Sequence, residues 1–557
     1  MSRAIWNLSV IILAVIGFIL LGYPLAMMAQ HGADPESWPA NAITPAAWLH
    51  NVLTLKLGEV FKPYDEMLTR KSQGFTGGGL WHLGGAVCAF SILALLMFRT
   101  KKFELRRDPN GIYGNARWAT SAEVSLMSAG LELGINKDTG RAVRVSIEGN
   151  LLTIAPPRKG KSSGLFIPNL AYPEIEAWLG PAVAIDPKGD AYRVVAERRR
   201  KLGRTVRCLD PLGLVDGTDS WNPLAYVDPT DVLYLQHIAR MLLPELIGGG
   251  DAATYFNNRA ADLIVGILIV ALNSVKPNLP EVLRLLNADD DLIEGLKAHK
   301  AMPAVQTALK IMQSDPKSRE PITSTAAQAF SWLNDERPAQ MVMTSTFELV
   351  DLTRGDVDLF VAVPSRDNVA LAPFLRLLLG GIFDTVRQHH PAERMVIFID
   401  EANTLGRFDA ILKASGELPG HGASLWTFWQ DRAQIVTTYE ESGARQLISS
   451  ADIVVLFDVP ATDPDESDRW SRALGSFSAL VETKSTENGK KGATTTAGQE
   501  ARLMTKEELT TLDTRELIVF PNSPFYARHP VRLWKTAAHT DPRFKELIVR
   551  VPPVGRI

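Results

Sequence analysis

Gly160-Lys161-Ser162 has the residue types and spacing to hold phosphate. It stands within Ile154-Ala155-Pro156-Pro157-Arg158-Lys159-Gly160-Lys161-Ser162-Ser163, after an apolar run at 151–154 and before a stretch that starts a helix at Ser162. In a strand, loop and helix of this kind, consecutive backbone N–H groups point at phosphate oxygens and the helix N-terminus adds positive dipole. A lysine reaches the β and γ phosphates and a hydroxyl binds Mg²⁺. Lys161 is the candidate lysine and Ser162 the candidate hydroxyl, with Arg158, Lys159, Gly160 and Ser163 completing the cradle. The usual pattern opens with glycine where this chain has Ala155, so the match is to its second half, which a basic turn between strand and helix would also fit.

A second group narrows the reading. Met395-Val-Ile-Phe-Ile-Asp400-Glu401 is five apolar residues followed by two carboxylates. Such a run suits a strand buried on both faces of a parallel sheet, and its C-terminal end is where these sheets hold ligands. Asp400 would hold Mg²⁺ through water and Glu401 would polarise an attacking water. With Lys161 and Ser162 in the same chain, nucleotide hydrolysis is the expected chemistry. A third group is Gln430, which closes the strand expected at 423–429 and is placed to touch a γ-phosphate or the attacking water; a helix cap or surface amide is the plainer alternative.

The elements that must position these residues follow from the rest of the chain. At 557 residues, 46% hydrophobic and 22% charged, more than one domain is expected. The net charge of −3 gives no global footprint for nucleic acid. The two cysteines, Cys88 and Cys208, lack metal-ligand spacing and exclude a disulfide scaffold. Residues 5–28 and 80–98 are apolar runs of bilayer-spanning length, and the second is followed by Arg99, Lys101, Lys102, Arg106 and Arg107, which places that end in the cytoplasm. Two spans put both termini there and leave 31–79 as a small extracytoplasmic loop.

Residues 143–154 read as a hairpin delivering the chain into the phosphate loop. Strands are expected at 181–185, ending in Asp186-Pro187-Lys188-Gly189-Asp190, at 206–209, 359–363, 395–399, 423–429, 453–457 and 515–520. Helical stretches lie between them, so a doubly wound α/β sheet is expected. From 231 to 350 the periods are helical, and the apolar stretch 263–272, too short for a span, reads as a buried helix. The domains expected are a membrane domain at 1–107, a nucleotide-binding domain at 108–230 and 351–540, an inserted all-α domain at 231–350, and a surface extension at 541–557. Residues 483–500, rich in Thr, Gly, Lys and Ser, are expected to be a flexible loop.

With these pieces in view the chain resembles the type IV secretion coupling proteins, the TraG/TraD-like ATPases of conjugation and effector export. The resemblance rests on Gly114-Asn-Ala-Arg117-Trp118-Ala-Thr, the Ala155 to Lys161 loop, Asp186-Pro187-Lys188-Gly189-Asp190, Trp221-Asn222-Pro223-Leu224, Asp400-Glu401 with Leu405-Gly406, and Leu425-Trp426-Thr-Phe-Trp429-Gln430-Asp431. It implies a RecA-like P-loop nucleotide-binding domain with an inserted all-α domain, preceded by two transmembrane helices in the bacterial inner membrane. It implies ATP held by Gly160, Lys161 and Ser162, Mg²⁺ held by Ser162 and Asp400, water activation by Glu401 and γ-phosphate sensing by Gln430. It also implies a ring, a hexamer, working with other secretion subunits on relaxase-bound DNA or effector proteins. Some members place an Arg before the Gln430-bearing strand; Gly420-His421-Gly422 has none, and Arg407 or Arg432 are the substitutes.

Two other readings share the motifs. A chromosome-type DNA pump should carry further spans or a long linker and a C-terminal winged helix, which are not apparent. A cargo receptor using ATP only structurally would not need Glu401. A membrane-anchored ATP-dependent protease would require a His-Glu-x-x-His zinc site or a nucleophile triad after the ATPase, and no such zinc motif is present.

Overall fold

The structure is a computed structural model. It describes residues 105–108, 110–245, 250–487, 490–522 and 528–549, and, before them, 23–24, 27–28, 34–38, 42–60 and 62. The expected spans at 5–28 and 80–98 lie outside the described residues, apart from 23–24 and 27–28. The chain divides into two compact units, Met1–Arg106 and Arg107–Ile557.

In the first unit a helix, Pro45–Leu53, starts where proline fits the first turn and Thr44 accepts the Ala47 N–H at 3.4 Å. Its Trp48 stacks on Tyr23 with ring centroids 4.8 Å apart, within a small core that includes Met27, Trp38 and Val60.

The second unit is built on one mixed sheet. The strands of the chain are β1 (Arg106–Arg107), β2 (Leu131–Asn136), β3 (Ala142–Val145), β4 (Asn150–Ile154), β5 (Ala182–Asp186), β6 (Thr205–Leu209), β7 (Val357–Ala362), β8 (Met395–Ile399), β9 (Ala423–Trp429), β10 (Ala451–Leu456), β11 (Ser476–Glu487), β12 (Lys490–Arg502), β13 (Glu516–Pro521) and β14 (Val531–Trp534). Eleven of them form the sheet, in the order β3-β2-β14-β13-β10-β4-β9-β8-β5-β7-β6. From β10 to β6 every pairing is parallel; from β10 to β3 every pairing is antiparallel.

The parallel strands are buried on both faces, which is why they read as continuous apolar runs. Successive residues feed opposite cores: Leu152, Ile154, Ile397 and Ile399 pack on one side, Leu151, Val396, Phe398 and Phe428 on the other. The first side is covered by the helical stretch, with no strand between Val232 and Met341 among the described residues. Its helices Val232–Leu242, Asp251–Leu272 and Pro303–Met312 share their apolar residues with the sheet in one continuous core. Two helices among the described residues, Asp251–Leu272 and Ser365–Gln388, are long and apolar enough to cross a bilayer by length and composition. Both are core helices here, with Leu263 to Leu268 and Phe374 to Phe383 buried, as expected for 263–272.

Three expectations are corrected. Residues 143–154 are not a hairpin. β3 pairs with β2, whereas β4 enters the middle of the sheet between β10 and β9, where both of its edges are taken by parallel partners. Residues 483–487 and 490–500 are not a loop but lie in the antiparallel pair of β11 and β12. Threonine is β-branched and favours extended backbone, and the ladder pairs the backbone without large apolar side chains. Nor is the stretch from 541 a surface extension throughout. Phe544 is fully buried with Ile548 in the second core, Asp541 caps a short turn at Pro542–Phe544, and Val549 N–H donates to Val194 O at 3.1 Å.

Candidate functional site

Four neighbouring parallel strands, β4, β9, β8 and β5, end side by side. Ile154 is in register with Trp429, and Ile399 with Thr427, so the residues that follow each strand emerge at one edge. Lys161 and Ser162 follow β4, Gln430 follows β9, and Asp400 and Glu401 follow β8. Residues 239 positions apart in sequence thereby meet: Lys161 Nζ donates to Asp400 O at 2.5 Å.

The loop after β4 is shaped by its backbone. Arg158 has φ 62° and Gly160 φ 84°, both in the left-handed region, and glycine is the residue that takes this at least cost. Gly164 N–H returns to Gly160 O at 2.7 Å and the Ser163 hydroxyl donates to the same carbonyl at 3.3 Å, turning the chain into the wide first turn Ser162–Phe166. Leu165 and Phe166 anchor that turn in the core.

The side chains form one connected set. Lys161 Nζ lies 3.1 Å from Glu401 Oε2, and Gln430 Nε2 donates to that same oxygen at 3.1 Å. The Ser162 hydroxyl donates to Asp400 Oδ2 at 3.2 Å. Asp400 is almost wholly buried, and burial pushes its carboxyl above the usual range, against the pull of the Lys161 and Lys188 charges and the Ser162 bond. Beside it, Asp186 at the end of β5 is pushed up to about 7, by burial first and by the Asp400 charge second.

The hard oxygens of Ser162 and Asp400 suit Mg²⁺, which takes one or two protein ligands beside substrate phosphates. Glu401 Oε1 is buried with no hydrogen-bond partner, so one carboxylate oxygen is left for a water or a ligand.

Every residue expected at the site from the sequence can now be placed. Lys161, Ser162, Asp400, Glu401 and Gln430 come together. Gly160 and Ser163 shape the loop, and Arg158 is exposed beside it. Lys159 turns instead to Asp458 after β10, at 3.4 Å. Of the two arginines considered, Arg407 is held by Asp409 at 3.1 Å and Arg432 by Glu441. Trp221-Asn222-Pro223-Leu224 is a packing turn: Asn222 Oδ1 accepts the Leu224 N–H at 3.0 Å, its amide donates to Pro277 O at 2.8 Å, and both Trp221 and Leu224 are buried.

Three supporting residues were missed. Gln434 Oε1 accepts the Gln430 backbone N–H at 3.0 Å and fixes the turn after β9. Asp458 ties Lys159 to Lys535, whose ammonium reaches it at 2.6 Å. Asp458 was legible by the rule that found Asp400, a carboxylate just beyond a buried strand; Lys535 and Gln434 carried no such signal.

A model of the family described as type IV secretory system conjugative DNA transfer matches residues 138–551. The chain belongs to that family. Protein VirD4 of Rhizobium radiobacter is 24% identical over 414 residues, 72% of this chain and 58% of its own length. The conjugal transfer protein TraG of Escherichia coli is 24% identical over 423 residues, 66% of this chain and 65% of its own. The chain thus spans less than two thirds of these curated relatives. Among solved structures, the bacterial conjugative coupling protein TrwB, unbound, superposes with a TM-score of 0.59 at 17% identity, covering 79% of this chain and 97% of that one. TrwB in complex with ADP and Mg²⁺ gives 0.58 at 17% identity, covering 79% and 99%. These likenesses show the fold, a mixed α/β sheet that fits the RecA-like nucleotide-binding class.

Proposed function

We propose that this chain is the coupling-protein ATPase of a type IV secretion or conjugation system, anchored in the inner membrane by two spans with both termini in the cytoplasm. It recruits relaxase-bound DNA or effector proteins to the secretion channel and uses ATP hydrolysis to drive their transfer. The observation that carries this reading is the meeting of Lys161, Ser162, Asp400, Glu401 and Gln430 at the ends of three adjacent parallel strands.

Each residue has a distinct task. Backbone N–H groups of 159–163 receive the β-phosphate at the start of the first turn. Lys161 exchanges its present contacts with Asp400 and Glu401 for the β and γ phosphates. Ser162 and Asp400 would hold Mg²⁺, which would supply charge neutralisation at the phosphates. Release of Lys161 leaves Glu401 free to accept a proton from water at the γ-phosphorus, and Gln430, already bonded to Glu401, orients that water. Gln430 opens directly into the helix Arg432–Ser449 through its cap at Asp431, so loss of the γ-phosphate is felt by a rigid element. In a hexameric ring, that movement passes to neighbouring subunits and to the cargo.

Glu401→Gln in the full-length chain, in cells carrying the rest of the system, tests the proposal. It should abolish transfer while cargo still crosslinks to the protein. Undiminished transfer would sink the motor reading and leave an ATP-binding cargo receptor. Plasmid DNA with a relaxase among the crosslinked species identifies conjugation; proteins alone identify effector export.

A further inference from the structure

The loop Asp186-Pro187-Lys188-Gly189-Asp190 is more elaborately fixed than a turn between β5 and its helix requires. β5 lies against β8 with Ile185 opposite Ile399, and Asp400 N–H donates to Ile185 O at 3.2 Å. The loop therefore leaves the sheet beside the Asp400 and Ser162 pair.

Its geometry is set from three sides. The buried Asp186 carboxylate accepts the N–H groups of Lys188 at 3.3 Å, Ala191 at 2.8 Å and Tyr192 at 3.3 Å. Gly189 has φ 67°, and a Cβ there would stand 2.2 Å from Val215 Cγ1. Arg193 donates to Lys188 O at 3.0 Å and also to Leu214 O. All of this presents one exposed side chain, Lys188, while its four neighbours in the loop are buried or half-buried.

Lys188, like the exposed Arg158 of the phosphate loop, differs from the other cations around the site. Lys159 is paired with Asp458, Lys161 with Glu401, Arg407 with Asp409 and Arg432 with Glu441. The Lys188 ammonium has no hydrogen-bond or ion-pair partner among the described residues, yet its charge reaches Asp400. A fixed backbone that places an unpaired cation in the loop beside the Asp400 and Ser162 pair is an arrangement that can stabilise charge developing in a transition state.

We propose that Lys188 is a catalytic residue of this site, a second cation that meets the terminal phosphate as negative charge shifts during hydrolysis. The inference rests on the ATPase reading above. In that reaction a water oxygen bonds to the γ-phosphorus, the bond to the β,γ-bridging oxygen breaks, and ADP leaves with the electron pair. The water's proton passes to Glu401. Lys188 transfers nothing; it lowers the energy of the charge on the terminal phosphate.

The test is steady-state ATP hydrolysis by the purified full chain, with ADP affinity and melting temperature measured alongside. Lys188→Ala should lower kcat about 100-fold while ADP affinity stays within about threefold of the unaltered chain, and Lys188→Arg should recover at least about a tenth of the rate. Turnover by Lys188→Ala within about threefold of the unaltered chain overturns the inference and leaves the ATPase reading standing. So does a loss of ADP affinity equal to the loss of rate. If Lys188→Ala melts early, Lys188→Gln, which keeps the stem and removes the charge, carries the same expectations. No turnover by the unaltered chain overturns both.

Discussion

Gln430 Nε2 and Lys161 Nζ both lie 3.1 Å from one oxygen, Glu401 Oε2. The carboxylate is thus restrained from two strands at once, with Oε1 unpartnered. Lys161 must leave this contact to meet phosphate, whereas Gln430 can keep it. In the proposed mechanism Glu401 acts as base once Lys161 has turned to phosphate.

Gln430→Ala should therefore leave nucleotide affinity within about threefold and lower kcat by about 10²-fold, the signature of an interaction made in the transition state. Steady-state kinetics with a separate ADP titration checks this. Loss of affinity with kcat unchanged would assign Gln430 to ground-state binding.

Lys161→Ala should weaken ATP and ADP binding and remove turnover. Since the lysine charge also holds the buried Asp400 carboxyl down, its removal should raise that carboxyl further, so the variant should lose more stability than the unaltered chain as pH rises. Fluorescent-nucleotide titration measures the first effect and thermal melting across pH the second.

Far from the nucleotide site, at the opposite ends of β5 and β7, Asp358 is fully buried and accepts from Arg199 at 2.7 and 2.9 Å and from Arg204 at 3.0 Å. Arg199 is itself wholly buried. Asp358→Ala should destabilise the chain by about 3 to 5 kcal/mol, because it strands a buried guanidinium. Denaturant unfolding reads this directly.

The Asp186 carboxyl, pushed up to about 7 from 3.8, gives a pH dependence of known sign. The folded protein favours the protonated acid, so this contribution to stability is fully present below pH 3.8 and is lost as pH rises through about 7. Asp186→Asn cannot ionise. Its melting temperature relative to the unaltered chain should become more positive between about pH 5 and pH 8. A constant difference would mean that Asp186 is ionised throughout.

Much of this was legible in the sequence. Strands buried on both faces announce themselves as apolar runs, so 395–399 and 423–429 were found to the residue, and the polar residues closing them gave Asp400, Glu401 and Gln430. Register was not legible. That Gln430 and Lys161 meet at one oxygen of Glu401 follows from β9 lying between β4 and β8, a long-range pairing that no local pattern encodes. The antiparallel side of the sheet was hidden for the same reason: β3 and β4 look like a hairpin until their partners are known. The threonine-rich ribbon failed differently, since composition measures the lack of a core and not the backbone pairing that β11 and β12 make. Phe544 and Ile548 show that two buried apolar side chains can dock a short segment that local composition marks as surface.

The central claim is that these five residues form a site that hydrolyses ATP with Glu401 as base. The most direct measurement is phosphate release from ATP by the purified full chain and by Glu401→Gln, with fluorescent-nucleotide affinity taken on both. Turnover that falls by about 10²-fold or more in Glu401→Gln, with affinity retained, is the predicted result. Equal turnover in the two proteins, or nucleotide binding by neither, would contradict the account.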